Sequence, residues 1–136
     1  MAWVRCCGGK ATRSNYPIVN SNGQFVGASY APSGSFYQGS DYFEFKRING
    51  ATGKILSMPV GYHYLIIKGY GINSLSNLQV TYGNITRTVG GAGGVSVTAI
   101  IDISAETNVT ELTCHMLDHD NAGFRFTEMY FSDNPV

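Results

Sequence analysis

Charged residues are scarce in this sequence. Its 136 residues include 9 basic and 9 acidic ones, together 13% of the chain, and the formal net charge is zero. Globular domains usually carry about a quarter of charged residues. The longest basic stretch is the pair Lys46-Arg47. We therefore expect neither a nucleic acid nor an anionic membrane surface as a partner, because both need clustered positive charge.

Long apolar runs are also missing. A helix that crosses a bilayer needs about 20 consecutive apolar residues, and a secretory signal needs an apolar stretch of about 7 to 15 residues. The sequence has no run of the first kind, and its first residues, MAWVRCC, do not form the second. These patterns predict a protein without a membrane span that is made in the cytoplasm and is not exported by the secretory route.

Cysteine is rare and poorly spaced for metal or redox chemistry. Cys6 and Cys7 are adjacent, which strains a mutual disulfide and does not match the spacing of zinc ligands. Cys114 lies in an alternating segment, where it is expected to pack as a small apolar residue. The chain also lacks a phosphate-binding loop and a Gly-x-Ser-x-Gly motif. We therefore predict a protein that is not an enzyme and has no cofactor.

Glycine and aromatic residues are abundant, and they follow a strand pattern. The chain holds 17 Gly, 9 Tyr and 7 Phe. Apolar and polar residues alternate from Val95 to Ser104, and the segment 64–67 is apolar on both faces, as in a central strand. Gly83-Asn84 separates two alternating runs and predicts a tight hairpin. The residues expected to face the core are Phe43, Phe45, Leu65, Ile67, Val97, Ile101, Ile103, Cys114 and Phe126.

The fold class follows from these strands. No segment of a dozen residues has helical periodicity, whereas seven or eight short strands are separated by Gly-rich turns. Near Thr127-Glu128 the alternation changes phase, which predicts a β-bulge. The sequence therefore predicts an all-β protein, an antiparallel β-sandwich of jelly-roll type.

The first 40 residues differ from the rest because Gly, Pro, Ser and Asn interrupt every apolar stretch. We expect residues 1–40 to form an N-terminal arm with one or two short strands, and residues 41–136 to form the sandwich, in one domain overall. Trp3, Tyr16 and Phe25 make the arm too apolar for a solvated tail. They predict that the arm docks on another chain.

Four segments carry a resemblance to a known family. The runs DYFEF (41–45), YLIIKGYG (64–71), IDIS (101–104) and FTEMYF (126–131) together resemble the galactose-binding-like jelly rolls. Such domains occur in carbohydrate-binding modules and in accessory domains of bacteriophage tail and baseplate proteins. The resemblance covers residues 41–136 and implies either glycan binding or assembly into a virion.

Tyrosines on one segment are the candidate glycan site. Tyr62, His63, Tyr64 and Tyr70 lie on or beside the predicted central strand, and the three tyrosines share one parity. Sugar sites combine aromatic faces with a few polar groups, and these residues supply both. Core packing at the edge of a sheet, with the hydroxyl groups at the rim, is the structural alternative.

A second candidate site is the loop around Asp118 and Asp120. Alternating carboxylates can hold Ca²⁺ through oxygen ligands. The same loop also reads as a plain hairpin connection, because Asp and Asn bond their own backbone and Gly123 can take a positive φ. The sequence therefore leaves a Ca²⁺ site and a metal-free turn open, and the metal-free turn is the expectation.

Two function classes remain. The first is a non-enzymatic virion structural or attachment protein of bacteriophage type, located in the tail, the baseplate or the capsid after synthesis in the host cytoplasm. Its partners would be sister copies in a homo-oligomer, with a trimer expected, or other virion proteins. The alternative is a free-standing, lectin-like domain that binds carbohydrate such as a cell-surface glycan.

Overall fold

A computed structural model describes residues 13–135 of the chain, and strands dominate it. Within these residues no helix has the length and apolarity that crossing a membrane requires. A 3-10 turn covers Ser33–Ser35. The described strands are β1 (Tyr16–Val19), β2 (Ser29–Ala31), β3 (Phe36–Gln38), β4 (Phe43–Lys46), β5 (Gly53–Leu56), β6 (Tyr64–Gly71), β7 (Leu78–Tyr82), β8 (Ile85–Val89), β9 (Val97–Asp102), β10 (Leu112–Met116) and β11 (Gly123–Ser132).

The strands form two sheets. Sheet one has the order β9-β6-β11-β4-β3, and β1 pairs with the C-terminal part of β11. Sheet two has the order β2-β5-β10-β7-β8. Every pairing between these strands is antiparallel. The predicted all-β, antiparallel sandwich is therefore confirmed.

The core lies between the sheets and is built from the inner positions of each strand. Of the nine residues predicted to face inward, eight are no more than 3% exposed. Val97 is the exception: it is half-buried and packs against the edge of the core. Its strand β9 is the outermost strand of sheet one, so in the described structure no strand is hydrogen-bonded to its outer edge.

The phase change near Thr127-Glu128 is a bulge in β11. The register between β11 and β6 shifts between Phe126 and Glu128. An extra residue at this point keeps Phe126 and Met129 on the same inner side, and both are fully buried. The predicted hairpin is also present, because Tyr82 pairs with Ile85 and Gly83 takes a φ of 62°.

Residues 13–40 are integrated into the sandwich, whereas the sequence pattern predicts an arm. Strands β1, β2 and β3 pair with β11, β5 and β4, respectively. Ile18 and Val19 in β1 are fully buried. Strands of three or four residues are too short to show a clear alternation in the sequence. Their hydrogen bonds to neighbouring strands hold them in the sheets.

Two of the three aromatic residues assigned to docking on another chain contact this chain's own core. Phe25 stacks on Phe43 with ring centroids 4.4 Å apart. The Tyr16 hydroxyl donates a hydrogen bond to the Gly27 carbonyl oxygen at 2.9 Å. Both residues therefore differ from the expectation, because their rings complete one end of the sandwich. Trp3, like Cys6 and Cys7, lies outside the described residues.

Candidate functional site

The candidate site is the outer surface of sheet one, on the side away from sheet two. Alternation along each strand places one set of residues in the core and the other set on this surface. We call it the tyrosine face; its tyrosines are Tyr37, Tyr42, Tyr64, Tyr70 and Tyr130.

Four residues form a straight row across the tyrosine face. Tyr70 of β6 pairs with Arg125 of β11, Arg125 pairs with Glu44 of β4, and Glu44 pairs with Tyr37 of β3. Neighbouring strands lie about 4.8 Å apart, so the row is about 14 Å long. It therefore has an aromatic residue at each end and the Arg125–Glu44 ion pair between them.

The Arg125–Glu44 ion pair is held in a fixed orientation. The Arg125 Nε donates a hydrogen bond to Glu44 Oε1 at 2.9 Å, and the Glu44 side chain is only 9% exposed. The Arg125 guanidinium lies 4.2 Å from the centroid of the Tyr42 ring. The pKa of Arg125 is raised, first by the hydrogen bond with Glu44 and then by one with Tyr70, while partial desolvation opposes the shift. Arg125 is therefore charged and oriented before any ligand arrives.

A shallow cleft opens at one end of the row. It has a volume of about 380 Å³, and Tyr37, Tyr42, Glu44 and Arg125 line it. The Tyr37 and Tyr42 ring centroids are 6.5 Å apart, and Tyr37 is 60% exposed. The cleft therefore offers exposed aromatic surface next to a charged hydrogen-bond donor.

A second polar group lies further along the same face. Lys68 Nζ is 3.3 Å from Glu128 Oε1 and 5.8 Å from the centroid of the Tyr130 ring. Ile66, on the same side of β6, is only 1% exposed, although it lies outside the core between the sheets. Its neighbours on this face therefore cover it.

The four residues predicted as a glycan site separate into two groups. Tyr64 and Tyr70 lie on the tyrosine face, but Tyr62 turns toward the core, where its ring centroid is 5.9 Å from that of Phe131. The reason is that β6 begins at Tyr64, so strand parity does not extend to Tyr62. His63 is exposed at the end of sheet one, with its Nδ1 3.5 Å from Asp133 Oδ1.

The sequence pattern did not single out Arg125, Glu44 or Tyr42 as part of a site. The alternation of Phe43 and Phe45 with Glu44 placed Glu44 on an outer face, but it gave no indication of its neighbours. The Arg125–Glu44 hydrogen bond joins residues 81 positions apart. Only the pairing of β4 with β11 reveals it.

The carboxylates of the predicted metal loop are each held by donors from this chain. Asp118 accepts hydrogen bonds from the Asn77 backbone N–H at 2.6 Å and from Asn77 Nδ2 at 2.9 Å, and these lower the pKa of Asp118. Asp120 accepts from Arg47 Nε at 3.1 Å and from the Gly50 N–H at 2.8 Å. Within residues 13–135, no group of three or more His, Cys, Asp and Glu side chains is arranged to hold a metal ion.

Cys114 has no role at this surface. It is a free, fully buried thiol of the core, and burial raises its pKa to about 12. It is therefore uncharged and unreactive at neutral pH.

Comparison with known proteins gives a match in structure only. Neither a family model nor a curated protein matches this chain. A mutant of a family 29 carbohydrate-binding module matches it with a TM-score of 0.66 at 10% identity, over 89% of this chain and 92% of that chain. A CBM29-2 mutant complexed with cellulohexaose gives 0.65 at 9% identity, over 89% and 92%. A CBM29-2 mutant complexed with mannohexaose gives 0.65 at 9%, over 92% and 94%.

The chain has the fold of these carbohydrate-binding modules. The resemblance to carbohydrate-binding modules is thereby confirmed for the fold. These comparisons contain nothing that points to bacteriophage virion proteins, the other group in that resemblance.

Proposed function

We propose that this protein is a non-catalytic carbohydrate-binding domain and that the tyrosine face is its glycan-binding surface. The observation that carries the proposal is the row Tyr70–Arg125–Glu44–Tyr37, which crosses four strands of sheet one. The fold adds support, since structures with the same fold include carbohydrate-binding modules complexed with cellulohexaose and mannohexaose.

The chemistry of the row suits a sugar ring. The C–H face of a pyranose is apolar and can stack on an aromatic side chain, and the exposed ring of Tyr37 offers such a surface. Sugar hydroxyls need donors and acceptors at fixed positions. Arg125 has five N–H donors, of which Nε–H is committed to Glu44, so others remain for a ligand. Because Glu44 already orients Arg125, little side-chain entropy is lost on binding.

The charge balance of the face favours a neutral glycan. Arg125 and Lys46 both contact Glu44, and Lys68 is paired with Glu128. Asp102 of β9 also lies on this face. Three basic and three acidic groups therefore balance on this face, and the whole chain has no net charge. An acidic polysaccharide would gain little from such a surface, because it offers no net positive charge, whereas a neutral one needs none.

Calorimetric titration of the protein with cellulohexaose and with mannohexaose tests the proposal. We expect saturable binding of at least one of them. Tyr37→Ala should weaken it about 10-fold or more, as expected when an aromatic contact residue is truncated. Because Tyr37 is 60% exposed, its removal should leave the fold intact.

Thr113→Ala is the matched control, because Thr113 lies on the outer face of sheet two. This variant should bind as the unmodified protein does. Absence of binding across a panel of soluble neutral glycans, or an equal loss of affinity in both variants, would contradict the proposal.

A further inference from the structure

Strand β9 leaves a row of backbone hydrogen-bonding groups without a strand beside it. Within the described residues it is the outermost strand of sheet one and pairs only with β6. The Ile103 N–H donates to the His63 carbonyl oxygen at 2.8 Å, so it points toward the β6 side. Since these groups alternate along a strand, the N–H and C=O groups of Thr98, Ile100 and Asp102 point to the free edge.

Most features that usually prevent an edge strand from pairing with another chain are missing from β9. Edges are commonly short, charged, bulged or interrupted by proline, which prevents pairing with other chains. The edge strands β2 and β3 have three residues each, and β8 carries the exposed Arg87. By contrast, β9 has six residues, VTAIID, with no Lys, Arg or Pro, and its register with β6 is continuous. Its one charged residue, Asp102, stands at its C-terminal end.

Apolar surface remains open on both sides of this edge. Ile100, on the side of the tyrosine face, is 49% exposed. Val97 and Ala99 point toward the core but are only half-buried. A further strand beside β9 would cover these groups and bond its free backbone atoms.

We propose that β9 pairs with β9 of a second copy of this chain, antiparallel, about a two-fold axis at Ile100. In this register Ile100 lies opposite the same residue of the second copy, and Thr98 lies opposite Asp102. On the core side, the small Ala99 lies opposite the large Ile101. Each pair is chemically matched, which makes the strand complementary to itself. The zero net charge of the chain adds no long-range repulsion between copies.

This dimer would place two tyrosine faces on one surface. Residues opposite each other in antiparallel strands share a face, so the two six-stranded sheets become one continuous sheet. This consequence rests on the proposed glycan binding. Two linked sites would raise the apparent affinity for a long or immobilised polysaccharide, but not for a short oligosaccharide.

Measurement of solution mass against concentration tests the dimer without any glycan. We expect the full chain to approach twice its monomer mass by light scattering as its concentration rises. Ile100→Lys should abolish the dimer, because two like charges would face each other at the centre of the pairing. Val95→Lys is the matched control: Val95 is 53% exposed and precedes the paired stretch, so this variant should remain dimeric.

Cross-linking tests the register itself. In a background with Cys6→Ser and Cys7→Ser, Ile100→Cys should give covalent dimers with a short bis-maleimide reagent, and Val95→Cys should not. Equal cross-linking at both positions would overturn the register, and persistence of the dimer in Ile100→Lys would overturn the interface.

Two further outcomes decide whether the edge is free for a second copy. A full chain that stays monomeric at its highest soluble concentration would overturn the proposal. A chain that dimerises only after deletion of residues 1–12 would also overturn it, because the edge would then be covered within one molecule. Loss of glycan binding with the dimer intact would instead contradict only the proposed function.

Discussion

The outer faces of the two sheets differ in chemistry rather than in shape. Each carries a shallow cleft, of about 380 Å³ on sheet one and about 370 Å³ on sheet two. The cleft on sheet one combines tyrosine rings with the Arg125–Glu44 pair. The cleft on sheet two has no aromatic residue; its lining consists of Thr81, Gly83, Asn108, Val109, Thr110, Glu111 and Thr113. Volume therefore does not distinguish the candidate site, whereas the side chains do.

This difference has a physical origin. Inner positions of both sheets must be apolar to form the core, so their residue types report mainly on folding. Outer positions face solvent and are free to vary. A residue with high β-propensity, such as threonine, is sufficient for strand formation there. Tyrosines and a partly buried ion pair on one outer face exceed what folding requires. They are therefore the stronger sign of function.

The largest expected contrast between the two outer faces concerns buried apolar surface. Ile66 on sheet one is 1% exposed, whereas Thr113, on the central strand of sheet two, is half-buried. Ile66→Ala should cost about 2 to 4 kcal/mol of unfolding free energy, because it removes packed methyl groups. Thr113→Ala should cost less than about 1 kcal/mol. Urea denaturation measures both, and similar losses would mean that the two faces are packed alike.

The next contrast compares one ion pair from each face. Arg125 pairs with Glu44, whose side chain is 9% exposed, while Lys54 and Glu111 on sheet two are both 49% exposed. Arg125→Met should cost about 1 to 3 kcal/mol, because the buried Glu44 carboxylate loses its hydrogen-bond donor and keeps only the Lys46 ammonium, 3.8 Å away. Lys54→Met should cost less than about 1 kcal/mol.

Adding Glu44→Met to Arg125→Met is the control for the buried charge. It should recover part of the lost stability, since no buried carboxylate then lacks the hydrogen bond from Arg125. If the double variant is no more stable than the single one, the cost comes from lost packing rather than from the charge.

Acid should affect a carboxylate at the end of each sheet. Hydrogen bonds from Asn77 lower the pKa of Asp118, after β10, and hydrogen bonds from Arg13 lower the pKa of Asp133, after β11. A carboxylate whose pKa is lower when folded stabilises the protein above its unfolded pKa of about 4 and loses that contribution as the pH falls. The melting temperature should therefore drop below about pH 4.

Asparagine variants separate these contributions. Asp118→Asn and Asp133→Asn should each flatten the fall of the melting temperature in acid. Asp41→Asn is the control, because among residues 13–135 no hydrogen bond to the exposed Asp41 side chain is seen. An acid profile that is the same in all three variants would show that other groups govern it.

The smallest expected effect concerns calcium. Because Asp118 and Asp120 each accept hydrogen bonds from the protein itself, neither a chelator nor added Ca²⁺ should change the melting temperature. Thermal denaturation in both conditions is the measurement. A rise of several degrees with Ca²⁺ that disappears in the Asp118→Ala, Asp120→Ala double variant would reveal a site in this loop.

Much of the sandwich could be predicted from the sequence, because alternation is a local signal. Phe43 and Phe45 face the core as predicted, and the change of phase near Thr127 marks a real bulge. The sequence pattern did not predict very short strands such as β1. It also misplaced Tyr62, because the alternation of β6 was extended beyond the start of that strand.

By itself the sequence determined the fold class, most of the core and the outer positions of Tyr64 and Tyr70. Each of these depends on residues two positions apart in one strand. This alternation can be recognised without knowing which strands lie beside it. Only the tertiary structure decided that Tyr70, Arg125, Glu44 and Tyr37 form one row. That row depends on which strands pair and in which register, and pairings between distant segments leave no periodic trace in the chain.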